Sequence, residues 1–135
     1  MDIKQKHLRI DRLYSRISTD IACQAGLPGG ELTAARIRNL SVGGLKFSCR
    51  RDAFYSMIPE DQRTPGRVVD VMVEISFELQ PAGQPVSRFN TRATIIHSER
   101  LSQDEFHIGV QFIDMEEAAF QVLKDYINDF MPESH

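Results

Sequence analysis

Val69-Asp-Val-Met-Val-Glu-Ile-Ser-Phe-Glu-Leu79 carries the clearest alternation in the chain, with Val69, Val71, Val73, Ile75, Phe77 and Leu79 on one parity. Asp70, Met72, Glu74, Ser76 and Glu78 fill the other. Successive side chains of a strand point to opposite faces, so this period predicts one face in a core and one mostly in water. Working outward, the same period recurs. Upstream, Ile17, Thr19, Ile21 and Cys23 share a parity, Leu32 to Leu40 reads as a second strand with Arg36 and Arg38 on one face, and Leu45 to Cys49 as a third. Downstream, Phe89 to His97 follows, and Phe106, Ile108, Val110 and Phe112 alternate in the last strand. Leu27-Pro-Gly-Gly30 and Pro81-Ala-Gly-Gln-Pro85 supply turns. Arg51 to Ile58 fits a short helix or a loop, and Pro59 to Gly66 is polar and rich in breakers. Six strands that close into a small barrel leave no exposed edge to aggregate.

The period changes after Asp114. Phe120, Leu123, Ile127 and Phe130 fall at helical spacing, Val122 and Tyr126 widen the stripe, and charged residues occupy the rest. This predicts a helix over Met115 to Met131 packed on the barrel, capped by Asp114 and ended by Pro132. No internal repeat or low-complexity tract interrupts the pattern.

A chain of 135 residues suits one domain with its own core. The net charge of -3 argues against a general nucleic-acid or membrane-surface binder. Within that acidic balance the start is cationic: Lys4, Lys6, Arg9, Arg12 and Arg16 stand against Asp2 and Asp11. Residues 1–9 have few sizeable apolar side chains, so residues 1–15 read as a flexible basic segment and 16–135 as barrel plus helix. Cys23 and Cys49 are too few for a disulfide framework and lie in apolar stretches, which favours buried free thiols. There is no apolar run of membrane-spanning length and no signal-peptide pattern at the start, so a reducing cytoplasm is the expected setting.

Two short segments carry the functional reading. Arg12-Leu-Tyr-Ser-Arg16 places two guanidinium forks four residues apart, and Asn39-Leu-Ser41-Val-Gly-Gly44 places an amide, a hydroxyl and a pair of glycines at a predicted strand end. Arginine forks bind phosphate oxygens and the O6/N7 edge of guanine in one bidentate geometry, which makes a guanine nucleotide the first candidate ligand. Arg9 adds charge nearby. Taken singly, the arginines also read as solvated tail residues, and Asn39 and Ser41 as turn-closing side chains. Gly43 and Gly44 suit a positive backbone dihedral or the close approach of a purine.

In this order the segments resemble the PilZ domain, a bacterial receptor module for cyclic di-GMP with the pattern Arg-x-x-x-Arg followed by Asp/Asn-x-Ser-x-x-Gly. Arg12 and Arg16 match the first part; Asn39, Ser41 and Gly44 match the second. Ile108-Gly-Val-Gln-Phe112 and the terminal helix are similar to the way the family closes. The resemblance implies a mainly β fold, a six-stranded antiparallel barrel with a C-terminal α-helix packed on it. It also implies a ligand-binding set of Arg12, Arg16, Asn39, Ser41, Gly43 and Gly44, with Arg9 in support. The arginines would hold phosphates and guanine edges, and Asn39 and Ser41 the other base. Asp11 stands where family members often carry a basic or apolar residue, at a position linked to whether one ligand or an intercalated pair is held. A carboxylate there repels added phosphate.

The leading expectation is therefore a cyclic di-GMP receptor that signals to an unidentified protein effector, as monomer or homodimer, without cofactor, membrane insertion or catalysis. The alternative is a PilZ-like scaffold of motility or pilus machinery that binds no nucleotide. A single-strand nucleic-acid binder calls for stacking aromatics on a basic face, and the chain has no tryptophan and an acidic balance. The four histidines form no zinc spacing, and Ser41 lacks the context of a nucleophile.

Overall fold

The computed structural model describes residues 16–60 and 71–130. Along the chain run β1 (Ile17–Gly26), β2 (Thr33–Leu40), β3 (Gly44–Arg50), α1 (Arg51–Met57), β4 (Val71–Leu79), β5 (Ser87–Arg100), β6 (Glu105–Ile113) and α2 (Glu117–Phe130). The six strands close into a barrel in the order β1-β2-β3-β6-β5-β4. Every neighbouring pair is antiparallel.

Alternation is what builds the wall. Ile17, Leu40, Leu45, Val110, Ile95 and Val71 are successive cross-strand partners around the barrel, and all are buried. Each such side chain contributes about 1.5–3 kcal/mol when removed from water. Helix α1 lays Phe54 on Phe106 with ring centroids 4.1 Å apart. Helix α2 buries Leu123 and Ile127, with Ala119, Val122 and Tyr126 packed beside them. Two carboxylates fix its position: the backbone N–H of Ala82 donates to Asp129 Oδ2 at 2.7 Å, and Gln84 Nε2 donates to Asp125 Oδ2 at 3.2 Å.

Several expectations need correction. Arg51–Met57 is helical, so the helix alternative holds for most of that segment. Strand β5 extends beyond both predicted ends. Asp114 is not the cap of α2, which starts three residues later; its φ of 50° turns the chain out of β6 instead. Phe130 is 60% exposed rather than part of the buried stripe, because the apolar face of α2 centres on Leu123 and Ile127. Residues 1–15, including Arg9 and Arg12, and residues 61–70 lie outside the described part.

The cysteines occupy the core as expected. Cys23 pairs with Ala35 across β1 and β2, and one β2–β3 step beyond the Arg36–Ser48 pair puts Cys49 beside Ala35. Two strand spacings, about 9–10 Å, separate Cys23 from Cys49, too far for a disulfide without backbone movement. Burial pushes both thiols up to about 12. Both should therefore resist a thiol-specific reagent at pH 8 in folded protein and react in denaturant. Rapid labelling of either in the folded state would contradict this placement.

Candidate functional site

Three irregularities in the ladders gather on one part of the barrel wall: between Ser18 and Ile21 in β1, between Ile37 and Asn39 in β2, and between Ile95 and His97 in β5. A bulge adds a residue to one strand and re-aims the side chains that follow it. Here the result is that Arg38 and Asn39 both lie half-buried, and Ile96 and His97 both lie exposed, where strict alternation would send one of each pair inward. Past the bulges the register aligns an outer row across five strands: Ser18, Asn39, Lys46, Gly109 and His97.

Over this row lies a cavity of about 470 Å³ lined by Arg16, Asn39, Ser41, Gly43, Gly44, Lys46, Ile96, His97, Gly109 and Gln111, together with Leu40, Leu45 and Val110. Every predicted site residue in the described part is among them. Arg12 and Arg9 fall outside it.

Ser41 is committed to the turn between β2 and β3. Its N–H donates to Gly44 O at 2.9 Å, its hydroxyl donates to the same oxygen at 3.1 Å, and Gly44 N–H donates back to Ser41 Oγ at 3.2 Å. The Phe112 N–H donates to Gly43 O at 2.9 Å, tying this turn to β6. The Asn39 amide has no hydrogen-bond partner among the described residues and remains available at the cavity wall. The two glycines separate in role. Neither has positive φ. A Cβ on Gly44 would overlap the carbonyl oxygen of Val110, so Gly44 is required by the approach of β3 to β6. A Cβ on Gly43 would meet nothing within 4 Å, leaving only the open side toward the cavity.

The charge around the cavity is one-signed. Arg16 and Lys46 line it, and no carboxylate does. Neither Arg16 nor Lys46 pairs with an acid among the described residues. Arg36 and Arg38, by contrast, are held on Asp20: Arg36 Nε lies 2.6 Å and Arg38 Nη1 3.1 Å from Asp20 Oδ1. Arg38 Nε also donates to Ser48 Oγ at 2.9 Å. The hydrogen bond from Arg36 holds the Asp20 carboxyl below its usual range. A depressed carboxyl stabilises the fold above its unfolded pKa, and that contribution fades as pH falls through the folded value. A second cavity, about 560 Å³, is larger but mixes Arg36, Arg38 and Arg50 with Asp104 and Glu105. Its opposed charges suit a single anion less well than the first cavity does.

Lys46, Ile96, His97, Gly109 and Gln111 escaped the reading of the sequence. Lys46 merely alternates between two buried neighbours, and only the strand register sets it beside Asn39 and Gly109. In the register His97 lies opposite Gly109, and His107 opposite Ser48 and Glu99. Among the described residues no three potential metal ligands cluster, and no helix is long and apolar enough to cross a membrane.

Comparison with known proteins adds three findings. Residues 10–129 match the family model described as PilZ domain. No curated protein matches. Among solved structures, the chain is similar to the Bacillus subtilis inhibitor of motility MotI/DgrA at 13% identity and a TM-score of 0.64, covering 86% of this chain and 49% of that one. It is also similar to Borreliella burgdorferi PlzA in complex with c-di-GMP, at 10% identity and a TM-score of 0.55 over 98% of this chain and 60% of that one. A third is the PilZ domain of Escherichia coli YcgR with c-di-GMP, at 15% identity and a TM-score of 0.54 over 85% and 88%. The chain thus spans about half the length of the first of these and three fifths of the second.

Proposed function

Because this chain belongs to the PilZ domain family, we propose that it is a cyclic di-GMP receptor that signals to a protein partner and performs no catalysis of its own. The observation that carries this is the meeting of Arg16 with Asn39, Ser41, Gly43 and Gly44 around one cavity whose charged side chains are all basic. Cyclic di-GMP carries two phosphates and two guanines. Arg16 supplies a fork for a phosphate or a guanine edge, and Asn39 an amide that has no partner among the described residues and can meet a base. Arg12 and Arg9 lie outside the described residues; in this proposal they add forks for the same ligand, so that binding reshapes the surface shown to an effector. Two buried, unlinked thiols suit a reducing cytoplasm.

Calorimetric titration tests this reading. Cyclic di-GMP should give a saturable heat and raise the melting temperature, and GTP at equal concentration should do neither, since linear nucleotides cannot engage both forks and both base contacts at once. Folded protein that shows no heat and no thermal shift with saturating cyclic di-GMP would favour the scaffold alternative.

A further inference from the structure

Gly109 stands in the middle of β6 at the cavity wall, and nothing in the fold requires a glycine there. Its φ is not in the left-handed region, which among the described glycines is used by Gly29 and Gly83. A Cβ on Gly109 would come no nearer than 3.6 Å to its closest neighbour, His97 Cβ, an ordinary contact. Glycine inside a strand weakens it, and often marks a place where a ligand or another backbone comes close. The nearest backbone atom, the His97 carbonyl oxygen at 3.9 Å from such a Cβ, is in ordinary contact and would not exclude a side chain. Gly109 lies between Lys46 and His97 in the outer row, so a bare strip of backbone is framed by two polar side chains.

Resting on the cyclic di-GMP reading, we propose that this gap seats one guanine, flat on β6 at Gly109, with Lys46 reading its acceptor edge and His97 forming the opposite wall. Guanine offers N7 and O6 as adjacent acceptors, whereas adenine sets an N6 donor beside N7. An ammonium is donor only, so Lys46 favours guanine and opposes adenine. An imidazole offers an aromatic face to the base, and Ile96, 48% exposed beside it, extends the apolar surface. These residues add a base-selecting element that the two arginine and asparagine-serine motifs do not contain.

The test uses Gly109→Val and Lys46→Met in the full chain, titrated with cyclic di-GMP and cyclic di-AMP and melted without ligand. Valine favours strands, so Gly109→Val should melt no lower than wild type and bind cyclic di-GMP about tenfold or more weakly. Lys46→Met should lose about tenfold in affinity for cyclic di-GMP and narrow the preference over cyclic di-AMP by a similar factor. If Gly109→Val melts well below wild type, Lys46→Met alone decides. Wild-type affinity in a stable Gly109→Val, or unchanged affinity and preference in Lys46→Met, overturns the proposal; loss of binding in Arg16→Ala would then leave the receptor reading standing. Wild-type protein that binds neither dinucleotide removes both.

Discussion

Arg16→Ala should bind cyclic di-GMP roughly tenfold to a hundredfold more weakly than wild type, each factor of ten being ~1.4 kcal/mol. Truncating one partner of a charge-assisted hydrogen bond costs on this scale, and Arg16 lines a cavity without a competing carboxylate. The ligand-free melting temperature should hardly change, because Arg16 is exposed just ahead of β1 and is ion-paired with no described residue. Lysine should restore only part of the affinity, since it keeps the charge and loses the planar fork. Calorimetry on the three proteins decides the matter. Equal affinity for wild type and Arg16→Ala would make the residue a solvated bystander.

Gly44→Ala should damage the fold itself. The added methyl would overlap the Val110 carbonyl oxygen in the neighbouring strand, and backbone cannot yield as the tip of a flexible side chain does. Forcing β3 away from β6 strains the ladder beside the site and the Ser41 turn, at a cost of about 2–3 kcal/mol. In a domain of this size that lowers Tm by about 10 °C. Gly43→Ala is the matched control: a Cβ there meets nothing, so its melting temperature should stay near wild type. Thermal melts of both variants without ligand provide the comparison, and coincident curves for Gly44→Ala and wild type would contradict the close approach.

The contrast between these glycines shows what the sequence could convey. The pattern around Asn39, Ser41 and Gly44 picked out residues that line one cavity, and alternation located all six strands, because burial of one face imposes a period of two wherever the ladder is regular. Both signals fail at bulges. Arg38 with Asn39, and Ile96 with His97, break parity, and nothing in the residues themselves announces it. Non-local register is equally invisible, so Lys46 and Gly109 looked like ordinary strand residues until β3 was set against β2 and β6. By its sequence Gly44 suits dihedral freedom or ligand approach, yet its reason is a neighbouring carbonyl. Asp114 had the chemistry of a helix cap and serves as a left-handed corner instead, since where α2 begins is set by how its apolar face reaches the barrel.

The central claim is that cyclic di-GMP occupies the basic cavity over the Ser18–Asn39–Lys46–Gly109–His97 row. An amide NMR titration tests it most directly. The account predicts saturable shifts at Arg16, Asn39, Ser41, Gly43, Lys46, His97 and Gly109, with Cys23, Cys49 and Glu105 almost unmoved. Shifts confined to the mixed-charge cavity around Arg36, Arg50 and Glu105, or a spectrum unchanged at saturating ligand, would contradict it.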